Sequence, residues 1–167
     1  MSNLVGKPFP EGISFTYVPP TPEKSEVTAC GIPVKFDASK EFKDKKVVIV
    51  SVPGAFTPTC QADHLSGYIK KFDQLKKAGV DLLIFIAYND PFVMSAWGKA
   101  NEITDDKILF MSDDNIAFSS SIGWIIEGAG RTARYAVVVD KGTVTYAEKE
   151  PAKGVDVSGV DAVLAKL

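Results

Sequence analysis

The chain has 167 residues, 46% hydrophobic and 24% charged, a composition that supports a continuous buried core and excludes a disordered protein. Nineteen basic against twenty-one acidic side chains give a formal net charge of −2, so the broad positive surface that nucleic-acid binding requires is missing. No apolar stretch approaches the roughly 20 residues of a membrane-spanning helix, and the N-terminus lacks an apolar signal region, so we expect a soluble intracellular protein with no membrane span.

The chain begins with an irregular segment and continues with a strand and a helix. Positions 1–45 are rich in proline and in isolated aromatic residues, which predicts extended, edge-like structure and turns before the main core. Residues 47–52 form a continuous β-branched run, typical of a strand buried on both faces. The following apolar residues recur at steps of three and four, which predicts one long helix that ends near Gly79: Leu65, Tyr68, Ile69, Phe72 and Leu75.

The alternation of strands and helices then continues to the C-terminus. It predicts a single α/β domain over residues 1–167, with a central mixed sheet flanked by helices and an N-terminal extension. This order is thioredoxin-like, although the pattern also permits a flavodoxin-like sheet. The remaining predicted elements are strands at 82–88 and 108–111, helices starting at Asp90-Pro91 and near 115–122, a hairpin around Asp140-Lys141-Gly142, and a closing helix over 155–166.

The candidate reactive residues lie in the segment between the first buried strand and the predicted long helix. Thr57 followed by Pro58 predicts a helix start, with the threonine oxygen accepting an orphan amide, so Cys60 falls in the first helical turn. A sulfur at that position lies beside unpaired backbone N–H groups and the positive end of the helix dipole, which favour thiolate over thiol. Pro53 and Thr57 taken singly fit an ordinary turn and cap. Their combination with Cys60 at P-x-x-x-T-x-x-C indicates a reactive site.

Three other side chains qualify this interpretation. Arg131 and Arg134 are the only arginines and both precede the strand at 135–139, where a guanidinium can serve a thiolate and an oxygen-rich substrate; the alternative for each is a surface ion pair. His64 lies on the same helical face as Cys60, which also allows a Cys–His hydrolase. With two cysteines and one histidine, we expect neither a metal site nor a bound cofactor.

The motif and its context resemble a known family. The segment VPGAFTPTC at 52–60 is similar to the active-site signature of the type 5 peroxiredoxins, in particular their fungal alkyl hydroperoxide reductase branch. The resemblance runs essentially from end to end. Further matching segments are AYNDPF, SAWGKA, FMSD, SIGW and GRTARYAVVVDKG.

The resemblance implies a mechanism and a role for each residue of the motif. Cys60 corresponds to the cysteine that attacks hydrogen peroxide or an alkyl hydroperoxide and becomes a sulfenic acid. Thr57 is expected to hydrogen-bond the sulfur and the peroxide, Pro53 to shield the thiolate, and Arg134 to stabilise charge during cleavage of the oxygen–oxygen bond. Cys30 is the one candidate for the resolving thiol, and the fungal branch pairs it with Cys60 of a second subunit in a homodimer that thioredoxin reduces.

Several alternatives remain at the level of sequence. Cys30 also fits a buried structural thiol, and Cys60 also fits a peroxide sensor or holdase that passes a disulfide to a client. The C-terminal tripeptide Ala165-Lys166-Leu167 resembles a peroxisomal address, or else ends an amphipathic helix, so the expected location is either the cytoplasm or the peroxisome.

Overall fold

The fold, described for residues 3–167 in a computed structural model, is built around one seven-stranded mixed sheet. Its strands are β1 (Ser14–Tyr17), β2 (Val34–Asp37), β3 (Lys46–Ser51), β4 (Leu82–Ala87), β5 (Leu109–Ser112), β8 (Tyr135–Asp140) and β9 (Thr143–Lys149), while β6 (Ile125–Ile126) and β7 (Arg131–Thr132) form a separate short ribbon. The order across the sheet is β2-β1-β5-β4-β3-β8-β9. Only β3, β4 and β5 run parallel to one another, which excludes the all-parallel flavodoxin-like alternative.

Helices cover both faces of this sheet. They are α1 (Ala38–Glu41), α2 (Ser66–Lys70), α3 (Phe72–Lys77), α4 (Pro91–Ala100), α5 (Ala117–Ser121) and α6 (Val160–Leu164), and a π-helical turn, Cys60–Leu65, leads directly into α2. Across residues 3–167, none of the helices combines the length and the apolar character that crossing a bilayer requires.

The central strands are buried on both faces, as predicted for residues 47–52. Val48 and Val50 pack into one hydrophobic cluster together with Trp97, whereas Ile49 packs into a second cluster that contains Phe42. Because side chains alternate along a strand, these two clusters lie on opposite faces of the sheet. The loops that leave the carboxyl ends of β3 and β4 are therefore held by a rigid base.

Two local predictions about turns are confirmed. The Asp90 carboxylate accepts the backbone N–H of Val93 at 2.9 Å, and Pro91 is the first residue of α4. Lys141 and Gly142 both have positive φ, 47° and 83°, which is the backbone of a two-residue turn whose twist suits a hairpin. β8 and β9 pair across this turn in antiparallel register.

The prediction of one long helix after Cys60 is wrong. The chain instead forms the π-helical turn and then α2 and α3, separated at Lys71, whose φ and ψ of −107° and 17° leave the helical region. Lys71 O accepts the N–H groups of both Gln74 and Leu75, so a new helical turn starts there. The apolar stripe continues across the break, which is why spacing alone does not reveal it.

The predicted closing helix over 155–166 is too long, because only Val160–Leu164 is helical. The backbone N–H and the hydroxyl of Ser158 both donate to Glu150 Oε1 at 2.7 Å. Gly159 is extended, with a φ of −70° and a ψ of 161°. Side-chain bonding at Ser158 thus replaces the helical hydrogen bonds that local spacing predicts.

The predicted N-terminal extension is an integral part of the sheet. β1 lies between β2 and β5, and Phe15 on β1 is fully buried. Residues 6–9 run beside the outer edge of β9, where Gly6 and Phe9 donate to Val144 O and Gly142 O at 2.8 Å. The segment therefore contributes both to the core and to the covering of an edge.

Candidate active site

Cys60 lies in the first turn of helical structure after β3, as predicted. The helical backbone begins at Pro58, and the first hydrogen bond one turn on runs from Gln61 N–H to Thr57 O at 2.9 Å. The Cys60 side chain is fully buried. The Thr57 hydroxyl donates to Gly54 O at 2.8 Å, so it braces the preceding loop instead of accepting an orphan amide, and that part of the prediction is wrong.

Arg134 is the residue that reaches the sulfur. It lies immediately before β8, and its Nη2 donates to Cys60 Sγ at 3.1 Å, while its Nη1 donates to His64 Nδ1 at 2.9 Å. Arg131 has a different environment, with its guanidinium 5.0 Å from the centre of the Tyr88 ring. The fixed geometry of the two Arg134 amino groups places a positive charge and an N–H donor beside Cys60, where they stabilise a thiolate.

His64 contacts Arg134 and a backbone carbonyl. Its Nε2 lies 2.9 Å from Ser158 O, which can only accept, so Nε2 carries the proton and Nδ1 accepts from Arg134. Burial lowers the pKa of His64 to about 4, against the raising effect of the Ser158 carbonyl. Both ring nitrogens are engaged in this way, so His64 has no free nitrogen to take a proton from Cys60, and the Cys–His hydrolase alternative fails.

Sequence reasoning missed the residues that hold His64. Ser158 O also accepts the Tyr68 hydroxyl at 2.7 Å, and burial raises the pKa of Tyr68 well above its ordinary value, so that hydroxyl stays a donor. Glu150 then binds Ser158 itself. A Ser-Gly pair before an apolar run was the available signal that the helix begins after position 158. Nothing in the sequence around Glu150 indicated its partner.

A cleft of about 300 Å³ opens beside this group. Pro53, Arg134 and Glu150 are among the residues that line it, so Arg134 connects the cleft to the buried sulfur. Apolar side chains stand exposed around the Cys60 loop, and we call Phe56, Tyr88 and Ile126 the apolar rim, with 51%, 36% and 38% of their surfaces exposed. Ile126 also lines the cleft, and the Tyr88 ring lies close to Gly54.

The surroundings of Cys30 differ from those of the buried Cys60. It is exposed, in the loop before β2, and its thiol donates weakly to Thr28 O at 3.8 Å. The alternative of a buried structural thiol is therefore wrong. Lys99 of α4 donates to Ala29 O at 2.7 Å and holds the residue next to Cys30. Both cysteines are free thiols in this structure.

A buried cysteine at a helix start, bound by an arginine fork on a mixed sheet, defines the site of a thiol-dependent redox enzyme. Comparisons with known proteins agree with that class. The profile of the Redoxin family matches residues 4–164. Peroxiredoxin AHP1 of Chaetomium thermophilum is 55% identical over 97% of this chain and 93% of its own, and a Lipomyces kononenkoae peroxiredoxin named for the peroxisome is 52% identical over 95% and 98%. Reduced Prx3 of Vibrio vulnificus in complex with hydrogen peroxide superimposes with a TM-score of 0.82 at 38% identity over 96% of both chains.

The chain therefore belongs to the Redoxin family and, within it, to the peroxiredoxins. It is a thiol peroxidase, and the prediction of a thioredoxin-like fold is confirmed.

Proposed function

We propose that this peroxidase reduces hydrogen peroxide and alkyl hydroperoxides through Cys60. The observation that carries the proposal is the bond from Arg134 Nη2 to Cys60 Sγ, 3.1 Å long, at the start of a helix. The thiolate attacks the terminal peroxide oxygen, a sulfur–oxygen bond forms and the oxygen–oxygen bond breaks. The leaving oxygen takes up a proton and departs as water or alcohol, and Cys60 becomes a sulfenic acid.

Pro53, Thr57 and Arg134 prepare the cleft for this step. Arg134 faces both the cleft and the sulfur, so its N–H groups stabilise the negative charge that shifts onto the leaving oxygen. The Thr57 hydroxyl, now bonded to Gly54 O, turns towards the sulfur and the bound peroxide, and Pro53 limits the access of water from the cleft wall. The neutral His64 ring leaves Arg134 as the charged partner of the thiolate.

Cys30 is proposed as the resolving thiol, acting on Cys60 of a second subunit. Gln61, next to Cys60, is bound by Trp97 and Asn101 on one side of α4. Lys99 lies two residues from both Trp97 and Asn101, and two residues correspond to a rotation of about 200° around a helix. Its side chain therefore projects from a different side of α4, where it binds the loop of Cys30. Within one subunit, Gln61 and the loop of Cys30 are thus bound to different sides of α4, an arrangement that favours the partner's cysteine.

The rest of the cycle follows from disulfide chemistry. The Cys30 thiol attacks the sulfenic sulfur of Cys60, water leaves, and a dithiol of the thioredoxin type reduces the disulfide that forms. The exposed apolar rim supports a homodimer, because such side chains gain stability when a second copy covers them. The role is antioxidant defence and redox homeostasis, in the cytoplasm or, through Ala165-Lys166-Leu167, in the peroxisome.

The test is a comparison of the wild type with Cys60→Ser in stopped-flow reaction with hydrogen peroxide. We expect a fast phase in the wild type and none in the variant, and NADPH consumption with thioredoxin and its reductase only in the wild type. A fast phase that survives in Cys60→Ser would assign the chemistry to another residue. Peroxide oxidation without thioredoxin-dependent turnover would favour the sensor alternative.

A further inference from the structure

The segment between β9 and α6 is irregular, yet its end is fixed from within the protein. Ser158 is fully buried, and both its backbone N–H and its hydroxyl donate to Glu150 Oε1 at 2.7 Å. Burial raises the pKa of Glu150, but the hydrogen bonds from Ser158 and neighbouring amides outweigh that effect and lower it below its ordinary value. Glu150 is therefore an ionised carboxylate that accepts and never donates.

The position of Ser158 matters because its carbonyl serves the active site. Ser158 O accepts from His64 Nε2 at 2.9 Å and from the Tyr68 hydroxyl at 2.7 Å. The carbonyl fixes the proton of His64 on Nε2, and only that tautomer presents a lone pair at Nδ1 for Arg134. If Ser158 were displaced, the His64 ring could rotate or change tautomer. A proton on Nδ1 would then face the N–H donors of Arg134 and could not accept a hydrogen bond from them.

The same residues close a circuit on Arg134. Glu150 N–H donates to Arg134 O at 2.9 Å, so the residue that holds Ser158 is also bonded to the backbone of Arg134. The circuit runs from the Arg134 backbone through Glu150, Ser158 and His64 to the Arg134 guanidinium, and from there to Cys60 Sγ. Both ends of the arginine are thus anchored to one residue, the backbone through the Glu150 amide and the guanidinium through the Glu150 carboxylate, Ser158 and His64, although Glu150 is not bonded to the sulfur.

We propose that Glu150 is a positioning residue of the peroxidase: its carboxylate holds Ser158, whose carbonyl orients His64, which aims the Arg134 fork at the peroxide. The inference rests on the proposed role of Cys60 and Arg134. Orientation of the fork matters most for peroxide, because cleavage of the oxygen–oxygen bond needs N–H donors at defined points. Alkylation of the same thiolate needs the positive charge nearby but no such geometry.

The experiment compares Glu150→Ala with Glu150→Gln and with Glu148→Ala, a control at an exposed glutamate two positions earlier on β9. Stopped-flow gives the rate with hydrogen peroxide, and iodoacetamide gives the rate of alkylation of Cys60 in the same samples. We expect Glu150→Ala to lose about tenfold or more in the peroxide rate and less than about threefold in alkylation. Glu150→Gln keeps an acceptor oxygen for Ser158 and should stay within about threefold of the wild type, as should the control.

Nitrogen-15 NMR provides a second measurement, and its result for the wild type does not depend on the folding of any variant. The chain has one histidine, so its imidazole signals belong to His64 without ambiguity. The wild type near neutral pH should show the neutral Nε2–H tautomer, and Glu150→Ala should show a mixture. A wild-type ring in the Nδ1–H form would overturn the proposal.

The kinetic outcomes distinguish a failure of the positioning role of Glu150 from a failure of the proposed function of Cys60. A peroxide rate for Glu150→Ala within about twofold of the wild type, or equal losses in peroxide reaction and alkylation, would overturn the positioning role alone. If Cys60→Ser keeps the fast peroxide phase, the proposed function itself fails.

Discussion

The two cysteines occupy opposite kinds of environment. Cys60 is fully buried, bound by Arg134, and followed by Gln61, which three hydrogen bonds tie to Trp97 and Asn101. Cys30 is exposed, and its thiol donates weakly to the carbonyl of Thr28 in its own loop. Cys60 therefore has a fixed geometry, which suits its proposed attack on peroxide, whereas Cys30 is exposed to other thiols, which suits its proposed resolving role. If a disulfide is to form, structure around Cys60 must open, because the side chain of a second cysteine cannot reach a fully buried sulfur.

The largest expected effect comes from removing the proposed resolving thiol, Cys30. Cys30→Ser should react once with peroxide at nearly the wild-type rate, because in the proposed mechanism Cys60 alone makes that attack. Its turnover with thioredoxin should fall by about a hundredfold or more, and Cys60 should drift to sulfinic acid. Peroxide consumption and mass spectrometry measure both results.

Non-reducing gels test the partner in the same experiment. The oxidised wild type should run as a dimer and oxidised Cys30→Ser as a monomer. A monomeric wild-type band that contains a Cys30–Cys60 crosslink would place the disulfide within one subunit. Full turnover of Cys30→Ser would remove Cys30 from the mechanism.

The next largest effect is the dependence of stability on pH that arises from the buried His64 next to Cys60. The ordinary pKa of 6.5 falls to about 4 in the folded protein, mainly because burial disfavours the charged ring. As the pH falls from 6.5 towards 4, His64 is protonated in the unfolded chain but stays neutral in the folded chain. The free energy of unfolding therefore decreases as the pH falls. The total loss is roughly 3 kcal/mol and is complete below the folded pKa.

Urea denaturation across this pH range measures that slope. The matched variant is His64→Gln, whose amide does not titrate, and its stability should lack the component between pH 6.5 and 4. Equal slopes in the two proteins would mean that folding leaves the pKa of His64 at its ordinary value. Because the chain holds no other histidine, carboxylates are the remaining groups that titrate in the lower part of this window, and they are common to both proteins.

A smaller effect distinguishes the two arginines. Arg134→Lys keeps the charge near Cys60 but loses the two-pronged geometry that serves both the sulfur and His64. The peroxide rate should fall at least about tenfold, equivalent to about 1.4 kcal/mol. Arg131→Lys is the matched control, since Arg131 lies over the Tyr88 ring instead, and it should lose less. A reversed order would show that the wrong arginine has been assigned.

The smallest expected effect concerns the packing that separates the buried thiol of Cys60 from the exposed thiol of Cys30. Gln61→Ala leaves the indole N–H of the fully buried Trp97 without its acceptor, which costs about 1 kcal/mol or somewhat more. Stability in urea should fall by that amount, and the disulfide between Cys60 and Cys30 should form faster after peroxide addition, because opening the turn is easier. Gln74→Ala, at an exposed glutamine on α3, is the control. Unchanged disulfide formation in a destabilised Gln61→Ala would separate this contact from the opening step.

The sequence predicted those parts of the molecule that local rules determine. The buried strands, the start of α4 at Asp90-Pro91, the turn at Lys141-Gly142 and the place of Cys60 after Pro58 all depend on residues adjacent in the chain. The choice of Arg134 over Arg131 as the proposed partner of the sulfur came from resemblance, and the 3.1 Å contact is consistent with it.

What the sequence did not predict depends on contacts between distant positions. Glu150 and Ser158 are joined by side-chain hydrogen bonds, and Ser158 meets His64 across 94 positions of sequence. The predicted helix over 155–166 failed for this reason, since tertiary hydrogen bonds outweighed local helical propensity. The Thr57 hydroxyl likewise bonds the loop behind it at Gly54, where a simple capping rule expected it to face the helix.

The edges of the sheet bear on the behaviour of the protein at high concentration. An open strand edge offers unpaired backbone groups to other copies and is a common start of aggregation. Here β2 is only four residues long and exposes Lys35 and Asp37, and the first half of β9 is covered by residues 6–9 through bonds to Val144 and Gly142. Charged Glu148 and Lys149 end the other half. Neither edge therefore offers a long apolar template, and we expect the folded protein to stay free of fibres at high concentration.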